Sequence, residues 1–183
     1  MAYTDTSIIP LRQLEEINQY RQVQDRNRRL VSRTFLFKYL KDNYNLSDFT
    51  FSYTDIKRQT LKKTDIDFNI SYSKDLIAIA VSTKNKIGVD IEYINYSFDI
   101  ESIIPTCMNS EELKTFELLQ NSEKLNYFYS LWTYKEALVK LLGGGLYLDL
   151  REMTNLKINS LNICKYQPFI SNDYSLSVVK FNK

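Results

Sequence analysis

One segment near the middle of the chain, residues 87–93, alternates between apolar and other side chains, and this period of two is typical of a β-strand. Its apolar face carries Ile87, Val89, Ile91 and Tyr93. Asp90 and Glu92 therefore share the opposite face. Mg²⁺ prefers oxygen ligands and keeps several waters, so one or two carboxylates with phosphate oxygens of a substrate can hold it. The pattern predicts half of a magnesium site.

A second segment, Leu131 to Leu142, has helical spacing of its leucines and contains no glycine or proline before Gly143. Trp132, Glu136 and Lys140 lie four residues apart and share one face of that helix. The carboxylate can complete a cation shell or accept a proton, and the ammonium can bind a phosphate oxygen. The same spacing also fits an exposed Glu-Lys pair on a solvated face, and the segment alone leaves both interpretations open.

The chain contains no histidine, and this limits the side chains that could act as a general base or bind a metal. A general base must be a carboxylate, a lysine, a tyrosine or water, and histidine-based triads and zinc sites are excluded. Cys107 and Cys164 lack CxxC spacing, and we expect both to be reduced and structural. The net charge of +2 is too balanced for general binding to nucleic acid or an anionic membrane. Without a long apolar run or a signal segment at its start, the protein is expected in the cytoplasm.

Taken together, the two segments resemble the signature of the 4′-phosphopantetheinyl transferase superfamily, in its larger, pseudo-duplicated monomeric type. That signature is G-(I/V)-D-x-E followed later by W-(S/T/C)-x-K-E-(A/S)-x-x-K. This chain has Gly88-Val-Asp-Ile-Glu92 and Trp132-Thr-Tyr-Lys-Glu-Ala-Leu-Val-Lys140. Residues 68–73 are similar to the F-N-(I/V)-S-H-(S/T) stretch of the family, with Tyr72 in place of the histidine, and residues 143–146 are similar to its G-x-G-L.

The order of predicted elements indicates an α+β fold. A long or broken helix over residues 11–41 comes first, and later helices are predicted to be capped at Asn109 and at Ser122. Strands are predicted over residues 66–72, 76–81, 87–93, 146–150, 156–163 and 174–181. The resemblance implies two similar α/β lobes, residues 1–93 and 94–183, related by a pseudo-twofold duplication, with coenzyme and metal in the cleft between them.

The resemblance implies an enzyme of the holo-(carrier-protein) synthase type. It would transfer the 4′-phosphopantetheine group of coenzyme A to a serine of an acyl or peptidyl carrier protein, with Mg²⁺ as cofactor. Asp90, Glu92 and Glu136 are the implied metal ligands, and Glu136, or a water it orients, is the implied acceptor of the serine proton. Lys140 is implied as a phosphate contact, so Glu136, Lys140 and Asp90 are the catalytic candidates. The candidates for coenzyme binding are Arg28, Arg29, Lys57, Arg58, Ser71, Tyr72, Asp90 and Lys140.

The carrier protein is expected to bind a monomer on an exposed surface between the two motifs, over residues 107–127. The candidates there are Met108, Lys114, Phe116 and Lys124, although Phe116 fits the core equally well. Trp132 is expected to pack in the core and fix the helix.

Two alternatives stay open. One is a catalytically degenerate relative that binds a carrier protein or a nucleotide, which Tyr72 and the absence of a glycine-lysine-proline coenzyme motif favour and the three carboxylates disfavour. The other is a different Mg²⁺-dependent enzyme on nucleotides, such as a pyrophosphohydrolase. That enzyme would need repeated glutamate-rich helical ligands, which this sequence lacks.

Overall fold

The computed structural model describes residues 5–53, 58–143, 148–153 and 162–182. Contacts divide the chain into two compact units, one of Met1–Thr54 with Gln59–Thr64 and one of Asp55–Arg58 with Asp65–Lys183. The mixture of helices and strands confirms the α+β class. The lobes at 1–93 and 94–183 stay a prediction, and the two units have other bounds. Within the described ranges, no helix is at once long enough and apolar enough to cross a membrane.

The first unit consists of two helices and a short antiparallel hairpin. Helix α1 spans Leu11–Asn18 and α2 spans Val23–Tyr44, so the helix predicted over 11–41 is a broken one. Strand β1, Phe51–Tyr53, pairs with β2, Gln59–Leu61. Helix α2 ends at Asn45, which takes the left-handed conformation with φ of 53° that commonly closes a helix.

Aromatic and aliphatic side chains form the interior of this unit. Leu36, Phe37 and Leu40 of α2 are 0% exposed. The ring of Phe37 stacks on that of Phe49, with 4.5 Å between the centroids. Burial of such side chains is the main stabilising contribution to a unit of this size.

The second unit contains a hairpin and a three-stranded antiparallel sheet. The hairpin joins β3, Asp67–Ser73, to β4, Leu76–Ser82. The sheet places β7, Tyr174–Phe181, between β5, Ile87–Tyr93, and β6, Ile163–Tyr166. The strands predicted from residues 66, 76, 87 and 174 are confirmed.

Two other strand predictions fall largely outside the described residues. Of the strand predicted over 156–163, only residues 162 and 163 are described, and β6 begins at Ile163. Of the strand predicted over 146–150, residues 148–150 are described, and Leu150 opens a 3₁₀ helix that runs to Glu152. The described part of that prediction is therefore wrong.

Three helices connect β5 to the later strands. They are α3, Ile104–Cys107, α4, Ser110–Leu118, and α5, Asn121–Leu142. The predicted cap of α4 is confirmed, because Asn109 and Glu112 form a reciprocal capping box. The predicted cap of α5 at Ser122 is wrong: Gln120 is the cap and forms its capping box with Glu123.

Helix α5 covers β5 and β7, and this packing is what positions the site. Ala137, Leu138 and Leu141 of the helix and Val179 of β7 belong to one buried cluster. On the same helix Thr133, fully buried, shares a hydrogen bond of 2.9 Å with the hydroxyl of Ser177 on β7. The helix is thereby fixed on the sheet through both apolar and polar contacts.

Candidate active site on β3, β5 and α5

Gly88 allows β5 and α5 to approach much more closely than a side chain would permit. A Cβ atom at this position would lie 2.0 Å from the carbonyl oxygen of Ala137 and 2.9 Å from the amide nitrogen of Leu141. Real Cβ contacts are never so short, so only glycine fits without movement of the backbone. The close packing places Asp90 and Glu92, which follow on β5, beside Glu136 and Lys140 of α5.

Asp90 is the most enclosed of the three carboxylates, with 3% of its surface exposed. Its Oδ1 accepts hydrogen bonds from Lys140 Nζ at 2.6 Å and from the Ser71 hydroxyl at 2.8 Å. Burial raises the pKa of Asp90, and Lys140 and Ser71 act in the opposite direction. Its Oδ2 is also buried, and it has no hydrogen-bond partner among the described residues.

The ammonium of Lys140 donates hydrogen bonds to three groups of β3 and β5. Besides Asp90, its ammonium donates to the Ser71 hydroxyl at 2.9 Å and to the Val89 carbonyl at 3.2 Å. The ion pair of Lys140 with Asp90 was not predicted from the sequence, where Lys140 was expected to contact a phosphate. The interpretation of Glu136 and Lys140 as a solvated surface pair is wrong, because Lys140 is paired with Asp90 on another element.

Glu92 and Glu136 complete a group of acidic side chains that repel one another. Glu92 accepts a hydrogen bond of 3.0 Å from the Ser73 hydroxyl. Burial is the main cause that raises the pKa of Glu92, and the charge of Asp90 is the next. The charge of Glu136 raises it further. Burial and the charge of Asp90 likewise raise the pKa of Glu136. The three carboxylates thus share one electrostatic environment in which a positive charge would be stabilised.

The donor chemistry of this group fits Mg²⁺, although the side chains do not form a closed metal cage. In the described part of the chain, no three Asp, Glu, Cys or His side chains lie close enough together to hold a metal ion. Asp90 Oδ2, however, is a buried oxygen without a hydrogen-bond donor among those same residues. An oxygen-seeking cation that keeps several waters would suit such an open set.

Polar side chains of β3 satisfy the backbone of β5, a feature that the sequence analysis missed. The amide of Ile87 donates to Asp67 Oδ2 at 2.7 Å and that of Val89 donates to Asn69 Oδ1 at 2.9 Å. The amide of Tyr93 donates to the Ser73 hydroxyl at 2.8 Å. The signal in the sequence was the polar half of the β3 alternation, at positions 67, 69, 71 and 73.

Arg58 is part of the same framework. Its guanidinium donates to Asp67, to the carbonyl of Lys140 and, at 2.8 Å, to the carbonyl of Ile87. Only 5% of its side chain is exposed. Arg58 is among the residues predicted from the sequence to bind coenzyme. In the structure its guanidinium joins β3, β5 and the end of α5, and coenzyme binding by Arg58 stays a prediction.

Trp132 packs as predicted, in the apolar cluster next to the acidic group. Its ring stacks on Phe128 with 6.0 Å between the centroids. With Glu92, Tyr93, Phe98 and others it lines a cavity of about 240 Å³. The cavity is apolar except at Glu92 and Asn95, so the acidic group opens onto an apolar recess.

The predicted coenzyme residues are only partly brought together. Ser71 joins the acidic group through Asp90 and Lys140. Tyr72 is half-buried on β3 and alternates with Ser71 and Ser73, so it lies on the other face of that strand. Arg28 and Arg29 belong to α2 in the first unit. Lys57 lies outside the described residues.

The predicted carrier surface requires a correction. Met108 and Phe116 are each 5% exposed and belong to one apolar core cluster, so the expectation of an exposed Met108 is wrong. The alternative of Phe116 in the core is confirmed. Lys114 is exposed, and the ammonium of Lys124 lies 5.2 Å from the centroid of the Phe116 ring.

Lys135, which precedes Glu136, is a buried cation whose role the sequence analysis did not identify. Its side chain is 0% exposed and donates to Glu112 Oε2 at 2.5 Å and to the carbonyl of Cys107 at 2.6 Å. It thereby ties α5 to α3 and α4. Burial raises the pKa of the Cys107 thiol to about 11, which keeps it protonated at neutral pH, and both cysteines are free thiols as expected.

The fold and the site define an α+β protein in which a strand and a helix present three carboxylates and a lysine suited to phosphate chemistry. The family model of the 4′-phosphopantetheinyl transferase superfamily matches residues 86–180, which include β5, α5 and β7. The chain belongs to this superfamily.

Relatives that carry the name of the family cover between 43% and 72% of the chain. The chain is 34% identical over 79 residues to the 4′-phosphopantetheinyl transferase HetI of a Nostoc species, a match that covers 43% of this chain and 33% of HetI. It is 30% identical over 132 residues to the transferase gsp of Aneurinibacillus migulanus, covering 72% of this chain and 54% of gsp. It is 29% identical over 118 residues to the transferase AcpT of Escherichia coli, covering 58% and 60%. The chain therefore spans less than two thirds of the length of these relatives.

Proposed function

We propose that the protein transfers the 4′-phosphopantetheine group of coenzyme A to a serine hydroxyl of an acyl or peptidyl carrier protein, as an enzyme of the holo-(carrier-protein) synthase type with Mg²⁺ as cofactor. The observation that carries the proposal is the ion pair of Asp90 and Lys140 beside Glu92 and Glu136, within the segment that matches the superfamily. The names of the relatives support the reaction, and the donor set supports the cofactor.

Each charged residue of the site has a role in this proposal. Asp90, Glu92 and Glu136 would hold Mg²⁺, which would supply positive charge to the pyrophosphate oxygens of coenzyme A. Lys140 contacts a phosphate oxygen in place of the Val89 carbonyl, its longest hydrogen bond at 3.2 Å. Ser71 keeps Asp90 oriented through the bond to Oδ1.

Glu136 accepts the proton of the carrier serine, directly or through water. As the serine oxygen bonds to phosphorus, the bond from that phosphorus to the bridging oxygen breaks and adenosine 3′,5′-bisphosphate leaves. Its raised pKa makes Glu136 a stronger base than an exposed glutamate. The pantetheine arm, which is uncharged, would occupy the apolar cavity that begins at Glu92.

The nucleotide end of coenzyme A is the less defined part of the proposal. Ser71 lies in the acidic group, and Tyr72, Arg28, Arg29 and Lys57 stay predicted contacts. The enzyme is proposed to act as a cytoplasmic monomer that binds neither nucleic acid nor membrane.

The test is incubation of the protein with coenzyme A, Mg²⁺ and a panel of apo carrier proteins, followed by measurement of intact mass. We expect one carrier to gain the mass of a phosphopantetheine group, and to gain none when EDTA replaces Mg²⁺. A degenerate relative would bind a carrier or coenzyme A without any change of carrier mass. A different nucleotide enzyme would consume coenzyme A in the absence of carrier. Either result would overturn the proposal.

A further inference from the structure

Two serines of β3 lie opposite the two carboxylates of β5. Ser71 and Ser73 alternate along one face of β3. Asp90 and Glu92 have the same spacing on β5. The Ser71 hydroxyl donates to Asp90 Oδ1 at 2.8 Å. The Ser73 hydroxyl donates to Glu92 Oε2 at 3.0 Å. Ser71 also bonds to Lys140, whereas the bond from Ser73 acts on Glu92 separately.

The hydroxyl of Ser73 is held by two hydrogen bonds. The residue is 8% exposed, and its Oγ accepts a hydrogen bond of 2.8 Å from the amide of Tyr93. Because that amide can only donate, the single proton of the hydroxyl is left for the Glu92 carboxylate, which when ionised can only accept. Rotation of the hydroxyl away from Glu92 would leave a buried donor without an acceptor, which is unfavourable. Ser73 therefore keeps one oxygen of Glu92 occupied.

Glu92 has its other oxygen left for a ligand. Among the described residues Ser73 is its hydrogen-bond donor, and the bond reaches Oε2 alone. The side chain is half-buried and lines the cavity of about 240 Å³ beside Trp132. Oε1 is therefore the oxygen that a cation can bind without breaking the bond to Ser73.

The number of oxygens that a carboxylate offers distinguishes one divalent cation from another. Mg²⁺ is small and demands near-octahedral geometry, which the narrow angle between two oxygens of one carboxylate fits poorly. Ca²⁺ takes about six to eight ligands in a flexible geometry and accepts both oxygens of one carboxylate. Binding through both oxygens of Glu92 would break the bond from Ser73 and leave its buried hydroxyl without an acceptor.

We propose that Ser73 determines the cation specificity of the site, because by occupying Oε2 it restricts Glu92 to one metal-binding oxygen and so favours Mg²⁺ over Ca²⁺. The inference rests on the proposed role of Glu92 as a metal ligand. It gives Ser73 a positioning role that is exerted through Glu92.

Isothermal titration calorimetry of the whole protein with MgCl₂ and with CaCl₂ tests the proposal through the ratio of the two dissociation constants. Ser73→Ala frees Oε2, and we expect it to shift this ratio about tenfold toward Ca²⁺, the effect of one hydrogen bond to a charged group. Ser73→Thr keeps the hydroxyl and should keep the wild-type ratio. A general loss of stability would weaken the binding of both cations equally and leave the ratio unchanged.

Asn69→Ala is the matched control. It removes another hydrogen bond between β3 and the backbone of β5, the one that the amide of Val89 donates, without touching Glu92. It should destabilise the protein, as Ser73→Ala does, and leave the ratio as in wild type. If Ser73→Ala does not fold, Ser73→Cys takes its place, because a thiol is a weak donor and should shift the ratio in the same direction.

Three results would overturn the proposal. One is a ratio in Ser73→Ala equal to that of wild type, and another is an equal shift in Ser73→Ala and Asn69→Ala. Neither of these bears on the transfer reaction, which the mass of the carrier measures separately. The third is the absence of heat with both cations up to about 10 mM, which would also remove Glu92 as a metal ligand. A shifted ratio without any carrier modification would support the role of Ser73 and contradict the proposed transfer.

Discussion

Gly88 and Ala137 are in such close contact that a methyl group on Gly88 would lie 2.0 Å from the carbonyl oxygen of Ala137. The atoms that such a methyl group would contact belong to the helix backbone, which cannot change rotamer to avoid it as a side chain can. This contact therefore sets the separation of β5 and α5. It also sets how closely Glu136 approaches Asp90 and Glu92.

Gly88→Ala should destabilise the protein and reduce its activity together. Displacing α5 costs about 1 to 3 kcal/mol or more, as overpacking of a core does, and it moves Glu136 away from β5. Urea unfolding and the carrier modification assay would measure the two effects. Gly143→Ala is a matched control outside this contact, where the left-handed φ of 75° predicts a loss of about 1 kcal/mol. A free energy of unfolding for Gly88→Ala equal to that of wild type would contradict the packing.

Glu136→Gln should reduce turnover by at least ~10²-fold, because the amide keeps the size of the side chain but removes its charge and basicity. Rates of carrier modification at saturating coenzyme A would measure the loss. Glu117→Gln on α4 removes a charge at an exposed position and should leave the rate within twofold of wild type, about the scale of a surface change. Equal rates for the two variants would remove Glu136 from the mechanism.

The same substitution should stabilise the fold at neutral pH in the absence of divalent cations. Burial and the charge of Asp90 raise the pKa of Glu136 in the folded protein. The folded state therefore holds the proton more tightly than the unfolded chain. The stabilisation from this proton is complete below the ordinary pKa and is lost as pH rises through the raised one.

Glu136→Gln should accordingly raise the melting temperature at about pH 7.5, because the amide is neutral there without binding a proton. The difference should shrink as the pH falls below about 4, where the wild-type carboxyl is protonated in both states. Thermal unfolding across a pH series, with EDTA present, would measure it. A difference that does not vary with pH would mean that the charge of Glu136 is not the cause.

The elements that carry the site could be predicted because their signals are local. The alternation of Ile87, Val89 and Ile91 and the leucine spacing before Gly143 are each contained in a short segment. The family resemblance implied that Asp90 and Lys140 belong to one site, but it did not predict their ion pair. The close approach at Gly88 was not predicted, although the glycine that opens the motif was visible.

Other features depend on contacts between distant segments and could not be predicted. The bonds that backbone amides of β5 donate to Asn69 and Ser73 require β3 to lie beside β5 without a regular ladder. Met108 is buried by a cluster that includes Phe128, and nothing near Met108 in sequence indicates that contact. A polar or apolar pattern shows which face of an element is buried but not which element covers it.

Lys135 should contribute to stability rather than to chemistry. Lys135→Met keeps the length of the buried side chain but leaves the Glu112 carboxylate without its cation, at a cost of about 3 to 5 kcal/mol. The double variant Lys135→Met with Glu112→Gln should recover most of that loss, since it removes both charges. Lys114→Met, at an exposed position on α4, should change the free energy of unfolding by less than about 0.5 kcal/mol. No recovery in the double variant would show that the buried charge of Glu112 is not the source of the loss.

Tyr72 should weaken the preference of the enzyme for coenzyme A over dephospho-coenzyme A. The family pattern has a histidine here, and a phenol can donate one hydrogen bond but carries no positive charge at neutral pH. A hydrogen bond to a charged group contributes about 1.5 to 3 kcal/mol, roughly ten- to hundredfold in affinity. The Michaelis constants of the two coenzymes should therefore differ by less than about tenfold. Tyr72→His should widen the difference as pH falls below about 6.5, where imidazole becomes charged.

Variants of Arg28 and Tyr72 test which side chain binds the 3′-phosphate in the absence of the family's histidine. If the wild-type enzyme prefers coenzyme A to dephospho-coenzyme A by more than about hundredfold, cations other than residue 72 must bind the 3′-phosphate. Arg28→Gln should then abolish this preference. Tyr72→Phe is the matched control for the phenol, because it keeps the ring on the same face of β3 and removes only the hydroxyl. Strong discrimination that survives both Arg28→Gln and Tyr72→Phe would show that neither residue binds the 3′-phosphate. The roles of Asp90, Glu92 and Glu136 do not depend on that result, because they act on the pyrophosphate.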